Sequence, residues 1–113
     1  MIYLDHNATT PLRPEALEAM LPFLRERQGN PSSPHRAGHE ARAAVEEARR
    51  RVGARLGFAP EEVVFCGSGT EADNLALRGV TRALREKGRH LVTSAVEHHA
   101  VLHTAQDLER DGW

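Results

Sequence analysis

The sequence predicts an α/β fold in which parallel strands are flanked by helices and the sheet is incomplete. Two short apolar runs, VVFC at residues 63–66 and HLVTSAV at residues 90–96, are typical of buried strands. A segment of helical periodicity follows each run, and this alternation indicates parallel strands. A parallel sheet is normally wider than two strands, so we interpret the chain as the opening portion of a larger domain.

The start of the chain is interpreted as an extended, turn-rich segment over residues 1–13, and residues 14–113 as the first part of a large domain. Pro14 suits the first position of a helix, because its missing N–H would have no partner there. Apolar residues then repeat at helical spacing, which predicts a helix over residues 14–27.

A second helix is predicted after the loop GNPSSPH, with Ser33 and Pro34 as its cap and first turn. One side of this helix carries small or branched apolar residues, which suits close packing against a sheet or another helix. These residues are Ala37, Ala41, Ala44, Val45, Ala48, Val52 and Leu56.

Two further helices are predicted over residues 70–87 and 98–111, each directly after a strand. Thr70 is placed as the N-cap of the first of them, with Asp73 in the capping-box position usually held by glutamate. Gly88 is expected to end that helix. The residues expected to face inward are Leu75, Leu77, Val80, Leu84, Val101, Leu102, Ala105 and Leu108.

Composition narrows the possible partners and location. The length of 113 residues suffices for one small domain, and a net charge of -1 argues against binding to nucleic acid or an anionic membrane. Cys66 is the only cysteine, which excludes an internal disulfide and fits a reducing compartment. No apolar run is long enough to span a bilayer, and the N-terminus lacks the features of a signal peptide. A soluble, cytoplasmic protein is therefore predicted.

The first strand runs into Gly67-Ser68-Gly69 and then into a helix, an arrangement that can hold a phosphate group. The hydroxyl of Thr70 could turn towards a phosphate oxygen. An ordinary strand-to-helix turn would explain the same residues, since such turns recur throughout α/β folds. A nucleoside triphosphate is disfavoured because no lysine follows the glycine. A dinucleotide site remains a lesser alternative, because the acid expected about 20 residues on at the end of the next strand is missing.

The histidines raise the question of a metal site. His35 and His39 are four residues apart, as are His99 and His103, so each pair would share one face of a helix. A zinc site needs at least a third ligand, and the sequence offers none at a suitable spacing. We predict no metal site.

His98 stands just after the second predicted strand, at the edge of the sheet where open α/β folds bind their ligands. The glycine turn follows the other strand, so His98 could face the same crevice as Gly69 and Thr70. A surface helix start that happens to be rich in histidine would give the same pattern.

Four stretches in this order resemble the N-terminal part of a cysteine desulfurase: YLDHNATTP, GNPSSPHRAG, VVFCGSGTEADNLAL and TSAVEHHAVL. Cysteine desulfurases are class V aminotransferases of fold type I and use pyridoxal phosphate. The resemblance covers essentially the whole chain. It implies that residues 14–113 are the first part of the large, cofactor-binding domain of such a transferase.

The resemblance also implies roles for particular residues. Gly69 and Thr70 would bind the phosphate of pyridoxal phosphate, in agreement with their place at a helix start. His98 would stack on the pyridine ring and would be a candidate acid or base for proton transfers, since the pKa of a histidine suits such work.

The reaction implied by the resemblance takes sulfur from L-cysteine, leaving L-alanine and a persulfide on an enzyme cysteine. The sulfur would pass to acceptor proteins, either an iron–sulfur scaffold or carriers for tRNA thiolation. A homodimer is implied as well.

The family's Schiff-base lysine and persulfide cysteine match no residue of this chain, since Lys87 and Cys66 lie outside those motifs. We therefore expect the chain by itself to be inactive. Two other functions stay open: a related class V enzyme such as selenocysteine lyase, and a non-catalytic α/β fragment that binds a partner chain.

Overall fold

The computed structural model describes residues 2–113, which form four α-helices and a short 3-10 turn at Pro60–Glu62. The helices are α1 (Pro14–Arg25), α2 (Arg36–Leu56), α3 (Gly69–Leu84) and α4 (His99–Arg110). All four predicted helices are confirmed, with ends displaced by a few residues. The chain divides into two compact units, one that ends at Val63 and one that spans Val64–Trp113.

In the first unit, α2 begins at a different cap from the predicted one. His35, not Ser33, is the N-cap: its Nδ1 atom accepts a hydrogen bond from the backbone N–H of Gly38 at 3.3 Å. Gly38 lies so close to the preceding loop that a Cβ atom there would be 2.2 Å from the carbonyl oxygen of Ser33. The loop before α2 therefore packs directly onto the first turn of the helix.

The end of α2 is set by Gly57, which adopts a left-handed conformation with φ of 78°. This conformation suits glycine because a side chain would be strained there. The backbone N–H of Phe58 then donates to the carbonyl oxygen of Gly53 at 2.9 Å. The chain turns away from the helix at this point and enters the 3-10 turn.

In the second unit, α3 and α4 pack against each other in the same direction. A side-chain hydrogen bond joins Asn74 of α3 to Thr104 of α4, and an ion pair further along joins Arg78 to Asp107. From the first contact to the second, both helices proceed towards their C-termini, so α3 and α4 point in broadly the same direction. Their N-termini therefore lie at the same end of the unit.

The two predicted strands are not formed among residues 2–113, and this corrects the predicted sheet. Residues 63–66 and 90–96 carry no strand pairing, although the backbone of Val63 has extended dihedral angles. A strand needs a neighbouring strand to share its hydrogen-bond ladder, and these two segments do not pair with each other. Several of their apolar side chains are exposed, and Val92 is 81% and Val96 91% accessible, whereas Val63 and Leu91 are half-buried.

The predicted inward faces are partly confirmed. In α4, Leu108 is buried, and Val101, Leu102 and Ala105 are half-buried. In α3, Leu77 is half-buried, whereas Leu75, Val80 and Leu84 are exposed. No helix between residues 2 and 113 combines the length and hydropathy required to cross a bilayer.

Candidate functional site

The glycine turn before α3 is closed by reciprocal hydrogen bonds. Ser68 is the N-cap, and its Oγ accepts from the backbone N–H of Glu71 at 3.1 Å. The carboxylate of Glu71 in turn accepts from the backbone N–H of Gly67 at 2.7 Å. This corrects the predicted cap at Thr70 with Asp73, because the cap lies two residues earlier than expected.

The cap leaves particular donors available at the start of α3. Ser68 takes up the N–H of Glu71 through its hydroxyl and the N–H of Ala72 through its carbonyl oxygen, at 3.1 Å in each case. Among the described residues, the N–H groups of Gly69 and Thr70 have no acceptor. A Cβ atom on Gly69 would meet nothing within 4 Å, so a ligand can approach its backbone. The available donors belong to the two residues predicted to bind phosphate.

His98 is the N-cap of α4. Its Nδ1 atom accepts from the backbone N–H of Ala100 at 3.1 Å, and the imidazole ring is exposed. Since Nδ1 uses its lone pair in this bond, the neutral ring carries its proton on Nε2. The ring is thus held in one orientation, with Nε2–H as the group that it presents. To accept a proton at Nδ1, the ring would first have to release the helix cap.

A continuous chain of hydrogen bonds joins Thr70 to His98. The side-chain amide of Asn74 donates to the carbonyl oxygen of Thr70 at 3.0 Å. The Oδ1 atom of Asn74 lies 2.9 Å from the hydroxyl of Thr104, which lies 2.7 Å from the carbonyl oxygen of Ala100. The single hydroxyl hydrogen of Thr104 is shared between these two oxygens. The N–H of Ala100 completes the chain at Nδ1 of His98.

The same contact places the two caps at one level. Ser68 precedes Asn74 by six residues, and His98 precedes Thr104 by six residues. At the rise of an α-helix, each cap lies about 9 Å along its axis from the shared hydrogen bond. The structure therefore brings the predicted residues Gly69, Thr70 and His98 to the same end of one helix pair.

Asn74 and Thr104 were missed by the sequence analysis. Asn74 lies six residues after Ser68, and Thr104 lies six residues after His98. This equal spacing indicates a contact only once the two helices are known to run side by side in the same direction. Ser68 and Glu71 were missed for another reason. The sequence allows a cap at either Ser68 or Thr70, and the choice depends on where the helix begins.

Comparison with known proteins decides the family. The sequence profile described as aminotransferase class-V matches residues 2–113. The chain belongs to the class-V aminotransferase family. A protein named cysteine desulfurase IscS from Dictyoglomus turgidum is 52% identical over 112 residues, and one of the same name from Methanosarcina thermophila is 46% identical. The predicted resemblance to the cysteine desulfurases is confirmed. Each alignment covers 99% of this chain and 28% of the relative, so the chain spans just over a quarter of their length.

A solved structure supports the fold of this class-V chain. A protein named NifS-like protein superposes with a TM-score of 0.89 at 39% identity, covering 99% of this chain and 31% of that one. The likeness supports the predicted fold-type I architecture, whereas the predicted strand pairing is not present within residues 2–113. The fold prediction is thus confirmed in part.

Two further histidines of this class-V chain, His99 and His103, stack on each other in α4. The rings of His99 and His103 lie 5.0 Å apart between centroids and are nearly parallel, at 28°. Among residues 2–113, no group of three or more histidine, cysteine, aspartate or glutamate side chains is placed to hold a metal ion. Cys66 is half-buried beside the glycine turn, and Lys87 is exposed after the end of α3.

Proposed function

We propose that this chain is the part of a pyridoxal phosphate-dependent cysteine desulfurase that holds the phosphate and orients the pyridine ring. Gly69 and Thr70 bind the phosphate, and His98 lies against the ring. The observation that carries this proposal is the hydrogen-bond chain from Thr70 to His98, because it ties the two predicted contacts into one unit. The family membership supplies the identity of the ligand.

The start of α3 suits a phosphate dianion. The N–H groups of Gly69 and Thr70 point out of the helix N-terminus, where the helix dipole adds partial positive charge. The hydroxyl of Thr70 provides a further donor for a phosphate oxygen. The carboxylate of Glu71 is the nearest negative charge in sequence, and its bond to the N–H of Gly67 holds it back on the turn.

The exposed ring of His98 provides a flat surface for the pyridine ring and a donor at Nε2. Pyridoxal phosphate, when bound, supplies an electron sink for chemistry at the substrate carbon. As long as the cap on α4 is intact, His98 acts by stacking and by donating a hydrogen bond. A role as acid or base requires Nδ1 to leave the N–H of Ala100, so proton transfer and helix capping compete at this atom.

The overall reaction is the one that the resemblance to the cysteine desulfurases implies, and it lies beyond these residues alone. L-cysteine and an enzyme thiol give L-alanine and an enzyme persulfide, whose sulfur passes to an iron–sulfur scaffold or a tRNA-thiolation carrier. The cofactor-binding lysine and the reactive cysteine are supplied outside this chain. A homodimer in the cytoplasm is part of the same proposal. Parallel activity assays with L-cysteine and L-selenocysteine distinguish a cysteine desulfurase from a selenocysteine lyase.

Phosphate binding is tested by comparing pyridoxal phosphate with pyridoxal, which lacks the phosphate. In the full-length product of the gene that encodes this chain, Thr70→Val should weaken binding of pyridoxal phosphate about tenfold, as expected for a lost hydrogen bond to a charged group. Binding of pyridoxal should stay the same, and Thr70→Ser should restore the affinity for pyridoxal phosphate. Equal loss for both ligands would refute a phosphate contact at Thr70.

A second candidate is favoured by the exposed apolar surface, namely a non-catalytic segment that binds another polypeptide. Several large apolar side chains of the second unit are exposed. They are Val64, Phe65, Leu75, Val80, Leu84, Val92 and Val96. Such a surface is normally covered in a stable protein. If the native gene product is a separate short chain that co-purifies with another polypeptide and lacks pyridoxal phosphate, this candidate replaces the first.

A further inference from the structure

The buried residues of α3 and α4 are few, and most of them are small. Ala100, Thr104 and Leu108 form a buried row along α4, and Thr81 is buried on α3. Burial of apolar surface is non-directional, so it favours contact between the helices without selecting one axial position. A shift of α4 by one residue along α3 amounts to about 1.5 Å. A directional contact between the helices would select one axial position.

The hydrogen bond between Asn74 and Thr104 is suited to set this register. It spans 2.9 Å, and a shift of about 1.5 Å at right angles to it would lengthen it to about 3.3 Å, outside the usual range for a hydrogen bond between two oxygens. Thr104 is only 3% accessible, so water cannot readily replace a lost partner. The ion pair of Arg78 and Asp107 is the other polar link, but its side chains are 46% and 42% accessible. Solvent weakens such a pair.

We propose that Asn74 and Thr104 are positioning residues that fix the phosphate-binding turn and His98 at one level, an inference that rests on the proposed function above. Neither side chain is assigned to touch the cofactor. Asn74 holds the carbonyl oxygen of Thr70, and Thr104 holds that of Ala100, whose N–H holds His98. The distance between phosphate and ring is fixed in the ligand, so a slip of either helix would weaken one contact when the other is made.

The test measures the dissociation constant of pyridoxal phosphate from the apo form of the full-length gene product. Thr104→Val removes the hydroxyl and should raise this constant about threefold to tenfold, the usual effect of one hydrogen bond. Thr104→Ser keeps the hydroxyl and should restore most of the affinity. Asn74→Ala should resemble Thr104→Val. The double variant should be little weaker than either single one, because both remove the same link.

Thr81→Val is the matched control for a purely structural effect. Thr81 is 5% accessible, and its hydroxyl donates to the carbonyl oxygen of Leu77 within its own helix at 2.7 Å. Both valine variants should lower the melting temperature of the apo form, but only Thr104→Val should weaken binding of pyridoxal phosphate. Equal weakening by Thr81→Val would overturn the positioning role.

The remaining outcomes separate this inference from the proposed function. If the wild-type protein binds pyridoxal phosphate and Thr104→Val binds it equally tightly, the positioning role is wrong and the proposed function stands. If the wild-type protein does not bind pyridoxal phosphate, the proposed function is wrong and the positioning inference fails with it.

Discussion

The Nδ1 atom of His98 accepts a hydrogen bond from the backbone N–H of Ala100 at 3.1 Å, so the histidine caps the helix that it begins. The same side chain is the proposed partner of the pyridine ring. One residue thus caps the helix through Nδ1 and is proposed to bind the cofactor through the face of its ring. Because these tasks use different parts of the imidazole, substitutions can separate them.

His98→Asn should preserve the cap and remove the ring. Asparagine is among the preferred N-cap residues, so the melting temperature of the apo protein should stay close to that of the wild type. The dissociation constant of pyridoxal phosphate should rise about threefold to tenfold, the range expected for a lost aromatic contact. Thermal unfolding and equilibrium dialysis of the full-length gene product measure the two effects.

His98→Phe reverses the comparison, since it keeps a ring and removes the cap. The free energy of unfolding should fall by about 1 kcal/mol, while the affinity for pyridoxal phosphate changes less than in His98→Asn. His103→Gln is the control, because His103 is exposed one turn further along α4 and caps nothing. An unchanged affinity in His98→Asn would show that the ring does not contact the cofactor.

Two glycines inside helices should respond to alanine in opposite ways. A Cβ atom at Gly38 would lie 2.2 Å from the carbonyl oxygen of Ser33, whereas a Cβ atom at Gly79 would meet nothing within 4 Å. Gly38→Ala should therefore lower the free energy of unfolding by about 1 to 3 kcal/mol, the usual cost of overpacking. Gly79→Ala should raise it by about 0.5 to 1 kcal/mol, because alanine loses less conformational entropy in a helix. Urea denaturation of both variants measures the difference, and a stabilising Gly38→Ala would contradict the close packing of the loop.

The Arg36–Glu40 pair at the start of α2 should make a small pH-dependent contribution to stability. Its Nε–Oε1 distance is 2.8 Å, and the hydrogen bond together with the charge of Arg36 lowers the pKa of Glu40 below its ordinary value. The folded state therefore binds the proton of Glu40 less readily than the unfolded state. The contribution is present above the ordinary pKa of glutamate and is lost as the pH falls through the lowered pKa.

A carbon-13 NMR titration of the glutamate carboxyl groups tests this pair. Arg36→Gln should raise the pKa of Glu40 towards its ordinary value. Arg42→Gln is the control, because the Nε of Arg42 donates to the carbonyl oxygen of Pro31 at 2.9 Å and not to Glu40. Since both members of the pair are exposed, added salt should reduce the effect. If the pKa of Glu40 does not change in Arg36→Gln, the pair does not make the predicted pH-dependent contribution to stability.

The helices could be predicted from the sequence because their causes are local. Pro14 marks the start of α1 as predicted, and the turn of Gly67-Ser68-Gly69 precedes α3. The caps were harder to predict, since His35 and Ser68 took positions assigned to Ser33 and Thr70. Neighbouring polar residues compete to cap a helix, and the winner depends on the exact start of that helix.

The sequence by itself determined the helices, the glycine turn at which Gly69 and Thr70 are proposed to bind phosphate, and the resemblance to the cysteine desulfurases. Only the tertiary structure decided that α3 and α4 run parallel and that Asn74 and Thr104 join them. It also showed that residues 63–66 and 90–96 do not pair within this chain. The physical reason is the range of the interactions. Helix hydrogen bonds and caps act within a few residues, whereas a strand ladder and a contact between helices need partners distant in sequence.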